Sequence, residues 1–197
     1  MKMKKASICV ILLLVMTLCG CAKKSPEEIS ATTVYINNDG SIEATFVEDF
    51  SQSYYDMTEL QNMANEEVAA FNADAGDEKI AITFYEVNGN IAKMQMTFTD
   101  AESYSAYVKE DLFAGTVAEA LEAGYDLKYS LINPENADEV IGEHELLTMQ
   151  DSNIVIVENA VRVRTQSKMQ YMSADAVYID EYEVDGYDNP DATVILY

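Results

Sequence analysis

Past residue 21 the chain has no cysteine, since Cys9, Cys19 and Cys21 are its only three. No disulfide can staple the folded part, and no thiolate is available there to a nucleophilic or zinc site. Histidine is almost as scarce: the single His144 sits between Glu143 and Glu145 and reads as a solvated side chain. Zinc sites draw on several His or Cys ligands, and Ser-His catalysis needs a base beside a nucleophile. No Gly-x-Ser-x-Gly or Ser-x-x-Lys pattern supplies one. Tryptophan is absent too, which disfavours a sugar-stacking cleft unless some of the thirteen tyrosines serve instead. Cations are the last shortage. After residue 20 there are nine Lys and Arg against 35 Asp and Glu, a net charge of −26. Nucleic-acid binding requires clustered cations that release phosphate counterions, so this field excludes it.

The chain has one long apolar run, residues 8–18 (ICVILLLVMTL), preceded by Lys2, Lys4 and Lys5. Eleven residues rising about 1.5 Å each cover roughly half of a ~30 Å hydrocarbon core, too little for a comfortable span. A positive start, an apolar middle and the small residue Gly20 give the three-part layout of a secretory signal. Its closing tetrapeptide, Leu18-Cys19-Gly20-Cys21, resembles the lipobox of bacterial lipoproteins. The resemblance implies diacylglycerol on the Cys21 thiol, cleavage before Cys21, and a protein held by lipid on the extracytoplasmic side of the cell membrane. Residues 33–41 (TVYINNDGS) and 112–121 (LFAGTVAEAL) also resemble segments of small lipoproteins of Gram-positive gut-type anaerobes that have no assigned activity.

Residues 1–20 are thus expected to be a signal peptide, and residues 21–31, polar and containing Pro26, a tether. Residues 32–197 are enough for one α+β domain with a real core, with a sub-boundary near 125–150 as an option. Strands are predicted over 33–36 and 42–46, joined by the turn Asn37-Asn38-Asp39-Gly40, and over 80–87 and 92–98, joined at Asn88-Gly89. Each hairpin precedes a helix. The first is opened by Asp56 with Glu59 and stopped by Gly76, the second opened by Thr99 with Glu102, and a third short helix runs from Thr116 with Glu119 to Gly124. Strand, turn, strand and helix therefore occur twice. Asn133-Pro134 signals a turn, residues 143–149 a helical turn or irregular link, and short strands follow at 154–157, 161–164, 169–172, 176–179 and 193–197. Hairpin-fed strands imply a mostly antiparallel sheet with two to three helices and a β-rich C-terminal part.

Two patterns stand out as candidate sites. In Val161-Arg162-Val163-Arg164 the period of two puts both arginines on one strand face and both valines on the other. Arg162 and Arg164 could grip an anionic ligand or a partner's carboxylate, although in so acidic a chain pairing with internal Asp and Glu is favoured. The loop at 185–191 offers Asp185, Asp188, Asn189 and Asp191 as oxygen ligands for calcium, without the alternation of an EF-hand. Asx-rich loops also arise for turn reasons alone. Tyr178, Tyr182 and Tyr187 cluster nearby and read as cross-strand packers. No catalytic residue and no cofactor is implied, calcium being the single metal to consider. The preferred expectation is a non-catalytic binding or interaction domain, its partners being membrane lipid through Cys21 and an envelope protein or ligand. The rivals are a carboxylate-based envelope hydrolase and a calcium-dependent adhesion domain.

Overall fold

Two hairpins open the fold, and each turns where a glycine supplies positive φ. β1 (Thr33–Ile36) and β2 (Ile42–Asp49) are joined through Gly40 at φ 85°, β3 (Ile80–Asn88) and β4 (Ile91–Phe98) through Gly89 at φ 60°. The computed structural model describes residues 23–189 and 191–197. Cys21 and the expected signal peptide lie outside the described residues.

A helix follows each hairpin. α1 (Met57–Ala75) begins where the Asp56 carboxylate accepts the backbone N–H groups of Thr58 and Glu59, and it ends at left-handed Gly76. α2 (Ala101–Val108) is capped one residue later than its Thr99-Glu102 spacing suggests. Asp100 accepts from Ser103 at 2.7 Å, while the Thr99 hydroxyl donates to that same carboxylate at 2.9 Å. Next come β5 (Leu112–Thr116) and α3 (Val117–Ala123), the latter with both halves of the Thr116-Glu119 capping box in place.

From there the chain is mostly short strands: β6 (Leu131–Asn133), β7 (Asn136–Ile141), the helical turn α4 (Glu143–Leu146), β8 (Asn153–Val157), β9 (Arg162–Thr165), β10 (Tyr171–Ser173), β11 (Val177–Asp180), β12 (Glu183–Asp185) and β13 (Thr193–Leu196). Residues 125–150 thereby supply β6, β7 and α4. The strands form two sheets, β11-β12-β9-β1-β2-β4-β3 and β5-β8-β13-β10-β6-β7. All pairings are antiparallel except β1 with β9, so the fold is α+β, as its hairpin chemistry implies.

The two sheets pack face to face. Val34, Ile36, Ile42, Met96, Phe98 and Val163 of the first meet Leu112, Val155, Val157, Met172 and Ile195 of the second. Tyr104 of α2 is fully buried there, edge-on to Phe98 with ring centroids 5.2 Å apart. The far face of the second sheet carries Ile154, Ile156, Val194 and Leu196 against Val117 and Ala120 of α3, Leu127 and Leu146. With both faces covered, β8 and β13 read as unbroken apolar runs instead of alternating ones. The far face of the first sheet is polar, and residues 23–31 lie across part of it.

Candidate functional site

The polar face is where the arginines point. Arg162 donates through Nε to Asp185 at 3.0 Å. Arg164, nearly buried, donates through one terminal nitrogen to Asp180 at 3.0 Å and Glu183 at 2.9 Å, with its guanidinium over the Tyr182 ring. Val161 and Val163 turn inward, so the strand's faces are those its alternation predicts. The segment expected to be a tether takes part. Lys24 reaches Glu183 at 2.5 Å, Lys23 pairs with Glu43, Lys93 donates to the backbone carbonyl of Glu27, and Ser30 stands beside Arg162. Five of the nine cations after residue 20 therefore gather on one face, four of them meeting carboxylates there and Lys93 a backbone carbonyl. The space beneath the segment is about 40 Å³, room for water and little else.

In the 185–191 loop the side-chain oxygens of Asp185 and Asn189 are already engaged. Asp185 holds Arg162 with one oxygen and accepts the Tyr187 N–H with the other, and Asn189 donates to Ala192 while accepting from Asp191. Among the described residues no group of three or more His, Cys, Asp and Glu is arranged to hold a metal ion, so the structure does not bring Asp185, Asp188 and Asp191 together. Gly186 is required by a close approach: a Cβ there would meet the Thr193 hydroxyl at 2.1 Å and the Val161 carbonyl at 3.0 Å. His144 is exposed on α4. Of the three named tyrosines Tyr182 is half-buried under the Arg164 guanidinium, and Tyr178 and Tyr187 stay exposed.

A larger concavity lies at the other end of the first sheet, on its inner face. The strands β2, β3 and β4 extend past the cover that the second sheet provides, leaving Phe46, Tyr85, Ala92 and Met94 beneath a groove of about 460 Å³. Leu60 and Met63 of α1 form one wall, with Met63 half exposed, and Phe50, Tyr54 and Tyr55 form the other. These rings hold one another: Phe50 stacks on Tyr55 at 5.1 Å, and Tyr54 meets Tyr55 edge-on at 4.9 Å. The Tyr85 hydroxyl donates to the Met57 carbonyl at 3.3 Å and ties sheet to helix.

The rim of this groove is acidic, with Glu48, Asp49, Asp56 and Glu59 all exposed. Asp56 is engaged as the α1 cap and Asp49 accepts from Ser51, whereas Glu48 and Glu59 have no hydrogen bond from a side chain and no ion pair among the described residues. The neighbouring Tyr54 pushes the Tyr55 hydroxyl above the ordinary phenol range, and Asp49 and Glu48 push the same way. Burial raises Tyr85, with the Asp56 charge adding to it. Among the described residues no Lys, Arg, His, Cys, Ser or Thr lines the groove, which offers apolar area and negative charge. Its sequence signal was the run Phe50-Ser-Gln-Ser-Tyr54-Tyr55, three aromatics in six residues belonging to neither a strand alternation nor a helical stripe.

Comparison of the chain with protein-family models, with curated proteins and with solved structures finds no match.

Proposed function

We propose that this chain is a lipid-anchored domain of the cell envelope, held on the extracytoplasmic face of the membrane through acylated Cys21, and that it binds a ligand rather than catalysing a reaction. The observation that carries the anchor is Leu18-Cys19-Gly20-Cys21 closing an eleven-residue apolar run. Among the described residues no helix is long and apolar enough to cross a membrane. Ala22 alone separates Cys21 in sequence from Lys23, which pairs with Glu43 on the polar face of the first sheet. The groove opens on the opposite face of that sheet.

Binding is favoured by what the groove contains. A well-formed aromatic and aliphatic concavity within the usual ~300–1,000 Å³ range, with a few polar groups at its edge, is the ordinary form of a ligand site. Its carboxylates are exposed, the opposite of the apolar enclosure that keeps a catalytic acid protonated in carboxylate-based hydrolases. The anchor is tested by metabolic labelling with an alkynyl fatty acid in the native host or a Gram-positive surrogate. Wild-type protein is expected to take up label and Cys21→Ser to take up none, because serine cannot form the thioether; undiminished label on the variant would overturn the assignment.

A further inference from the structure

Resting on the reading of this groove as a binding site, we propose that its ligand is an organic cation, an ammonium or guanidinium head on an apolar body. Three features converge on that class. First, the floor and walls are aromatic or aliphatic throughout, and the exposed faces of Tyr54 and Tyr55 are available to a cation within about 6 Å of a ring centroid. Second, the rim charge is unanswered from within. On the polar face Glu43, Glu183 and Asp185 each meet a Lys or Arg, but none of the nine cations after residue 20 lines the groove, and Glu48 and Glu59 stand without an ion pair among the described residues. Third, the field of the whole chain, −26 after residue 20, draws cations in and repels anions.

Complementarity selects among ligands. A neutral apolar molecule could fill the volume but would leave the negative charges of Glu48 and Glu59 at the rim without a counter-charge. An anion would add to that repulsion. A cation at the rim with its apolar body on Phe46, Leu60 and Met94 satisfies both parts of the site, and about 460 Å³ accommodates an aromatic ring or short alkyl chain with its head group.

Phenethylammonium is a suitable probe, with 2-phenylethanol as its neutral counterpart and 3-phenylpropionate as the anion. The full chain, carried in phosphatidylcholine nanodiscs and labelled at its methionine methyls, reports through Met63 and Met94 in the groove, with Met96 and Met172 in the core as internal references. The cation is expected to shift Met63 and Met94 saturably, at least tenfold more tightly than the alcohol, and the anion to leave them unmoved. In Glu48→Gln/Glu59→Gln that preference should fall about tenfold while the alcohol binds as before and the core resonances stay in place. Equal affinity for cation and alcohol, or an unaltered preference in the variant, would overturn the ligand class and leave the groove as a binding site. Silence of Met63 and Met94 toward all three probes would overturn both.

Discussion

Asp100 shows how much one carboxylate can organise. It caps α2 through the Ser103 N–H, accepts the hydroxyls of Ser103 and Thr99, and faces Lys79 at 3.4 Å. Partial burial pushes its carboxyl up, but the hydrogen bonds from Ser103 and Thr99 and the Lys79 charge outweigh this and hold it at about 2. A carboxyl depressed below its ordinary 3.8 contributes stability that is present above that value and is lost as pH falls toward 2. Asp100→Asn keeps the shape and an acceptor without the charge. Because the side chain is 43% exposed, solvent screens it, and the variant should be about 1 kcal/mol less stable at pH 7. Urea titrations should show the gap closing between pH 4 and 2; a gap constant with pH would mean that the cap works by shape alone. The Thr116-Glu119 box was legible in the sequence because both its halves are local. The slip from Thr99 to Asp100 arose because two neighbouring residues can each cap, and the carboxylate accepts more bonds than the hydroxyl.

At the scale of elements, what could be read followed from how burial writes itself into sequence. β1 to β4 have one apolar face and Gly-containing turns, so alternation and turn chemistry located them within a few residues. β7 has five exposed residues of six and carries no alternation to detect. β12 buries Glu183 under residues 23–31, so its second covered face looks polar. The arginine face was legible from Val161-Arg162-Val163-Arg164, but its partners come from β11 and β12, sixteen to 23 residues later, and no local pattern pairs them. Of the groove only the aromatic run at residues 50–55 left a mark in the sequence, because the concavity itself exists only where one sheet outreaches the other. The Arg164–Glu183 pair is buried on both sides, so Arg164→Met should cost about 3 kcal/mol by stranding Glu183 with Lys24 alone. Arg164→Met/Glu183→Leu should recover most of that in urea unfolding; a double variant as unstable as the single one would show that the segment over the face, not the pair, sets the cost.

For the molecule as a whole, a charge of −26 after residue 20 makes self-repulsion a standing destabilising force that dissolved salt relieves. Sodium, magnesium and calcium chlorides at matched ionic strength should raise the melting temperature by the same few degrees. Calcium exceeding the others by several degrees, with the excess lost in Asp185→Asn/Asp188→Asn, would mean that the 185–191 loop holds the ion. A ligand confined to the folded state at a hundredfold excess over its Kd adds about 2.7 kcal/mol, well beyond a shared screening effect.

The placing of β13 has a consequence for the chain's history. It lies between β8 and β10 in the interior of its sheet, and β1 finds its parallel neighbour in β9, more than a hundred residues away. The first sheet is incomplete until β12, residues 183–185, is available and the second until β13, residues 193–196, so neither can close before nearly the whole chain is present. Assembly is thus a non-local and correspondingly slow search, because its closing contacts join residues far apart in the chain.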